Sequence, residues 1–172
     1  DETLATTAGM DLFAMGTRPG KRDILLEMDW FDDNLDPGTC GPHSHQPTAN
    51  AVNLVTSAFA AGTGTNPDGT AGINLIVDRG QGGLFTGGNL VADADGVIAG
   101  GVDGADFLGI KGANFSAQRE GYFHYVLNPH RYNTNSTSSG QAEIQGDDLI
   151  VSLYCYGSDA NVSKTIMHEL GH

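Results

Sequence analysis

An apolar strand, a helix and a second apolar strand follow one another between residues 23 and 78, and this order restricts the chain's fold more than any other feature. Residues 23–30 alternate, with Ile24, Leu26, Met28 and Trp30 on one face and Asp23, Glu27 and Asp29 among those on the other, the period of a strand. Residues 48–61 carry Val52, Val55 and Phe59 at helical spacing, with Pro47 suited to the start and Gly62 to the stop. Residues 72–78 hold Ile73, Leu75, Ile76 and Val77, a second short apolar run. Strands joined through a helix run parallel with a right-handed crossover, so the expected class is α/β. Further strands are expected at 122–127, 142–144 and 148–153; Leu149-Ile150-Val151 is apolar without alternation, as in a strand covered on both faces. The expected architecture is a twisted, mixed, mostly parallel sheet of about five strands with two main helices.

The second of those helices follows a break at Gly157, is capped by Ser158 or Asp159, and carries His168-Glu169-Leu170-Gly171-His172, an H-E-x-x-H motif. Each helical residue turns about 100°, so positions four apart share a face and both imidazoles can reach one cation. Val162, Ile166 and Leu170 form an apolar stripe, and each histidine lies two residues beyond a stripe residue, facing away from it. His168 and His172 are therefore candidate zinc ligands, and Glu169 a candidate general base for a water that zinc acidifies. The competing reading is a polar, solvent-facing helix side. Catalytic zinc takes three protein ligands, and the motif supplies two.

At 172 residues the chain suits one domain. Eight Lys plus Arg against 21 Asp plus Glu give a net charge of −13, which repels phosphate backbones and anionic lipid, so no nucleic-acid or membrane partner is expected. No apolar run has the length of a membrane span, and a start at Asp1 without an initiator methionine suggests a processed chain. Cys40 and Cys155 read as one disulfide of a secreted protein, as two thiols, or with Cys40 as a thiolate on the zinc; the disulfide is favoured in a Gly-rich, acidic, Lys-poor chain. Asn114, Asn135 and Asn161 head glycosylation sequons that matter only in a eukaryotic secretory route. Residues 80–112 are expected as a Gly/Asp-rich surface loop. Asp93, Asp95, Asp103 and Asp106 interleave there with glycines, which reads either as a calcium (Ca2+) site or, at least as well, as a solvated acidic loop.

The element order together with His168-Glu169-Leu170-Gly171-His172 resembles the amino-terminal half of a metzincin, the zinc endopeptidase clan that includes matrixins, reprolysins, astacins and pappalysins. Residues 23–30 (DILLEMDW), Phe123-His124-Tyr125 and residues 146–153 (GDDLIVSL) look like bacterial secreted metalloproteases of matrixin or reprolysin type. The resemblance spans most of the chain and is specific at the motif. It implies a zinc (Zn2+) endopeptidase with His168 and His172 as ligands, Glu169 as base and a peptide or protein as substrate. It also implies secretion, a monomer, and continuation by a carboxy-terminal subdomain that supplies a third histidine and a methionine turn. The clan binds peptides along an antiparallel edge strand before the active-site helix, and Gly140, Gln141, Ala142, Glu143 and Ile144 occupy the matching place.

His43 and His45 form an H-x-H pair in a loop, readable as polar surface residues or as a surrogate third ligand, while His124 and His130 read as structural packing. From another class, the chain is also readable as a secreted, non-catalytic, calcium-stabilised binding module or an inactive fragment with an incomplete zinc site. Retention of Glu169 favours catalysis, because a purely structural zinc site has no need of a base.

Overall fold

The computed structural model describes residues 9–32, 40–92, 95–155 and 157–172. A short helix α1 (Leu12–Met15), capped by the Asp11 carboxylate, precedes strand β1 (Asp23–Phe31). Helix α2 (Ala49–Ala60) follows, its first turn fixed by Thr48 Oγ1 accepting from the Ala51 N–H at 3.0 Å. Strand β2 (Asn74–Asp78) pairs parallel with β1 from Asp23↔Asn74 to Glu27↔Asp78, completing the strand–helix–strand unit that the periodicity predicts. Beyond it come β3 (Leu90–Val91), β4 (Val97–Ile98), a 3-10 turn (Gly101–Asp103), α3 (Ala105–Asn114), β5 (Phe123–Asn128), β6 (Arg131–Tyr132), β7 (Gly140–Ala142), β8 (Asp148–Val151) and α4 (Asp159–Glu169).

The main sheet is mixed and has six strands, one more than expected. Its order is β2-β1-β5-β8-β7, and only β7 runs antiparallel to its neighbour. β5 occupies the other edge of β1 as far as Trp30, so β3, paired to Trp30 and Phe31, extends the β2 edge. β4 and β6 make a separate parallel pair. The extra strand β3 lies within residues 80–112 and a third sizeable helix, α3, begins there, so these residues are not one long loop.

Alternation along β1 feeds two cores. Leu26 and Met28 join Ala51, Val55, Val126, Leu149, Val162 and Ile166 on the face covered by α2 and α4. Leu25 and Phe31 join Phe107, Phe123, Tyr125 and Ile150 on the other face, under α1 and α3. Each such side chain, fully buried, contributes about 1.5–3 kcal/mol. Glu27 and Asp29 also point into this second face, 1% and 0% exposed. Burial is tolerable because the acids have partners. Arg119 reaches Glu27 at 2.6 Å and Asp78 at 2.7 Å, and Asp29 accepts from Tyr125 O–H at 2.7 Å and from the Asn89 N–H at 2.6 Å.

Candidate active site

Helix α4 is held at its start and packed along its length, which fixes where its motif emerges. Ser158 caps it by accepting from the Asn161 N–H, and Asp159 accepts from Thr48 Oγ1 and Asn50 Nδ2, both at 2.6 Å, clamping α4 to the start of α2. Val162 and Ile166 are 1% and 0% exposed, so the stripe seen in the sequence is the packed face. The helix closes with tight turns, Gly171 N–H to His168 O at 3.0 Å and His172 N–H to Glu169 O at 3.3 Å.

His168 and His172 are exposed, on the side away from the stripe, with Nε2 to Nε2 3.3 Å and the rings edge to face. Two nitrogens bound to a tetrahedral zinc at about 2.0–2.1 Å stand about 3.3 Å apart, so the pair already has the spacing of two such ligands. Glu169, on the turn between them, is 6% exposed. Burial raises its pKa, while the neighbouring His168 and His172 lower it. The carboxylate lies against β7: a Cβ on Gly140 would stand 2.6 Å from Glu169 Oε1 and 2.6 Å from the Ile150 carbonyl. Only glycine lets strand and base approach this closely.

β7 ends the sheet, leaving one side open. Ser152 N–H donates to Ser139 O at 2.8 Å and Glu143 N–H to Asp148 O at 2.9 Å. Ladder bonds in an antiparallel pair fall on every second residue, so Gln141 faces β8 and Ala142 turns its N–H and C=O outward. Of the five expected substrate residues, Gly140, Gln141 and Ala142 form the strand, Glu143 extends its ladder, and Ile144, 81% exposed, belongs to the following turn. Gln141 Oε1 accepts from the Val102 N–H at 3.0 Å, tying β7 to the 3-10 turn.

Three of the other histidines come together in a cluster of their own. His43 and His45 do not join the motif; they meet His130, which reads from sequence as packing, and the three offer ligand nitrogens all within 4.8 Å of one another. Among the described residues no third His, Cys, Asp or Glu is grouped with His168 and His172. His124 is half-buried on β5, as packing requires, and burial lowers its pKa. Cys40 and Cys155 form the disulfide, which removes Cys40 as a zinc thiolate. Asp93 lies outside the described residues; Asp95 accepts from the Val97 N–H and Asp106 from the Ala99 N–H, each shaping its own turn, and no grouping of metal-binding side chains gathers Asp95, Asp103 and Asp106. No described helix is long and apolar enough to cross a membrane.

No family model, no curated protein and no solved structure matches the chain.

Proposed function

We propose that this chain carries the zinc-binding and substrate-binding half of a secreted, metzincin-like endopeptidase. The observation that carries the reading is the placement of Glu169: its carboxylate lies against Gly140 of an open edge strand, and the residues on either side of its turn, His168 and His172, hold their Nε2 atoms 3.3 Å apart. Base, ligand pair and strand edge therefore meet in one place.

A peptide adding to β7 as a further strand bonds to the outward N–H and C=O of Ala142, which holds its backbone extended beside Glu169. When bound, zinc polarises the scissile carbonyl and makes water nucleophilic at neutral pH. Glu169 takes the proton from that water and returns it to the leaving amine. Burial suits it to this, since it raises the pKa and so strengthens the carboxylate as a base. Catalytic zinc takes three protein ligands, so the reading requires one donor from a segment other than the described residues. The disulfide fits an oxidising, extracellular setting, and the charge of −13 favours cationic peptides through long-range attraction. Calcium is not part of this reading.

The test is hydrolysis of a fluorogenic peptide library by a zinc-loaded form of the protein that includes the segment supplying the third donor. Glu169→Gln is expected to lower kcat by about 10²–10⁴-fold while zinc content is unchanged. Full turnover in that variant would remove Glu169 as the base. A wild-type protein that holds zinc but cleaves nothing would favour the binding-module reading.

A further inference from the structure

We infer that His43, His45 and His130 form a second zinc site, structural in role, that ties the segment following β1 to those following β5 and β8. The three residues come from separate parts of the chain, and each is positioned by backbone. The His45 N–H donates to the Phe31 carbonyl at 3.0 Å, and an Asp32↔Ser44 bridge folds residues 44–45 back along the end of β1. His130 lies between β5 and β6, against Gly96. His45 Nε2 and His130 Nδ1 are 3.2 Å apart, again close to the roughly 3.3 Å edge of a tetrahedral zinc site.

The surroundings of His43 carry the argument further. Its Nδ1 is 2.8 Å from the Gly41 carbonyl and its Nε2 is 3.2 Å from the Tyr154 carbonyl. A neutral imidazole has one N–H, so it can donate to only one of these two acceptors. With the proton on Nδ1, at the shorter contact, Nε2 presents its lone pair as a ligand atom on the side of the Tyr154 carbonyl. The Gly41 carbonyl then plays the usual outer role of fixing the tautomer of a metal-bound histidine. Tyr154 is held in the left-handed region, φ 50°, unusual for a non-glycine residue, and its carbonyl is the oxygen at His43. Its neighbour Cys155 is bonded to Cys40, three residues before His43, so the disulfide braces both loops around the cluster. The Tyr154 ring lies 4.7 Å from that of His130, and the Arg131 guanidinium stacks on Tyr154 at 4.1 Å, covering the group.

Two of the three ligands lie deep in the fold: His45 is 0% and His130 1% exposed, with His43 half-buried beside them, which favours a structural over a catalytic zinc. A set of three imidazoles suits Zn2+.

The site is independent of the H-E-x-x-H motif, and the experiment separates them. Protein stripped of metal is titrated with Zn2+ against a chromogenic chelator as wild type, as His168→Ala/His172→Ala, and as that double variant with His43→Ala added. The double variant is expected to keep one tightly held equivalent and to gain several degrees in Tm on adding Zn2+; His43→Ala should weaken binding on the order of a hundredfold and abolish the Tm gain. Co2+ in the double variant should give the visible absorption of a tetrahedral centre. Because His43→Ala could disturb folding, ¹⁵N spectra of the imidazoles in the double variant provide a second reading, with Zn2+ expected to shift the His43, His45 and His130 nitrogens. No zinc held by the double variant, zinc indifferent to His43→Ala in a folded protein, or unshifted imidazoles at these three positions would each overturn the assignment.

Discussion

Glu27 shows how a single acid can be kept inside this fold and what that costs as pH changes. Burial raises its pKa from 4.5 to about 7 against the opposing pull of Arg119, and Asp29 beside it is raised by burial from 3.8 to about 6. For an acid whose folded pKa lies above its unfolded one, the folded state holds the proton more tightly. The stabilising contribution is complete below about pH 4.5 and is lost as pH rises through about 7. His45 works in the opposite sense: its folded pKa, about 3, lies below the ordinary 6.5, so stability falls as pH drops below 6.5. The wild-type profile sums opposing slopes, and the informative quantity is a difference. Glu27→Gln keeps an acceptor for Arg119 but cannot ionise, so its stability relative to wild type should increase between pH 4.5 and 7 by up to about 3 kcal/mol. Urea unfolding at several pH values measures this; a pH-independent difference would mean that Glu27 is ionised at its ordinary pKa in the fold.

Among the elements, β7 is short but has the most consequence for function, because its two edges do different work. The inner edge pairs Gln141 with Ile150 of β8, while Ala142 turns its N–H outward. Ala142→Pro therefore removes a hydrogen-bond donor from the open edge and leaves the β7–β8 ladder in place. In an active form it should raise KM several-fold with the protein folded, and unchanged peptide kinetics would sink the idea of strand addition at this edge. Sequence pattern was enough to place β1, α2, β2 and α4, since β1 alternates, β2 is a short apolar run, and the two helices repeat apolar residues at helical spacing and carry caps, Thr48 and Ser158. It was not enough for α3, where Gly109 and Gly112 weaken helix propensity, no side chain caps the start, and Phe107 is the only buried residue. The helix forms because Phe107 packs on Tyr125. The same contrast holds for the sites. The H-E-x-x-H motif is legible because its geometry is local to one helix. The partnership of Arg119 with Glu27, and of His130 with His43 and His45, joins residues far apart in sequence, and only the folded sheet brings them together.

At the scale of the whole molecule, the Cys40–Cys155 disulfide spans a sequence separation of 115, so it ties the loop after β1 to the loop before α4 around most of the sheet. In the chain-entropy account, a cross-link closing a loop of this length restricts the unfolded ensemble by about 4–5 kcal/mol. A chain of 172 residues with net charge −13 has reason to use it, because self-repulsion among its acids opposes compaction. Replacing both cysteines by alanine, which avoids leaving a lone thiol, should lower the unfolding free energy in urea by about 2–5 kcal/mol. The two loops it joins also hold His43 and Tyr154, so a local effect is expected on top of the global one. Hydrogen exchange separates the two. If the cross-link acts only on the unfolded chain, protection falls by the same free energy at the slowest amides throughout the sheet. If it also braces the loops, the amides near residues 40–45 and 154 lose additional protection by local opening. Uniform loss across β1, β5 and the loops would restrict the disulfide to the first role, whereas excess loss at the loops would tie it to the histidine cluster that they carry.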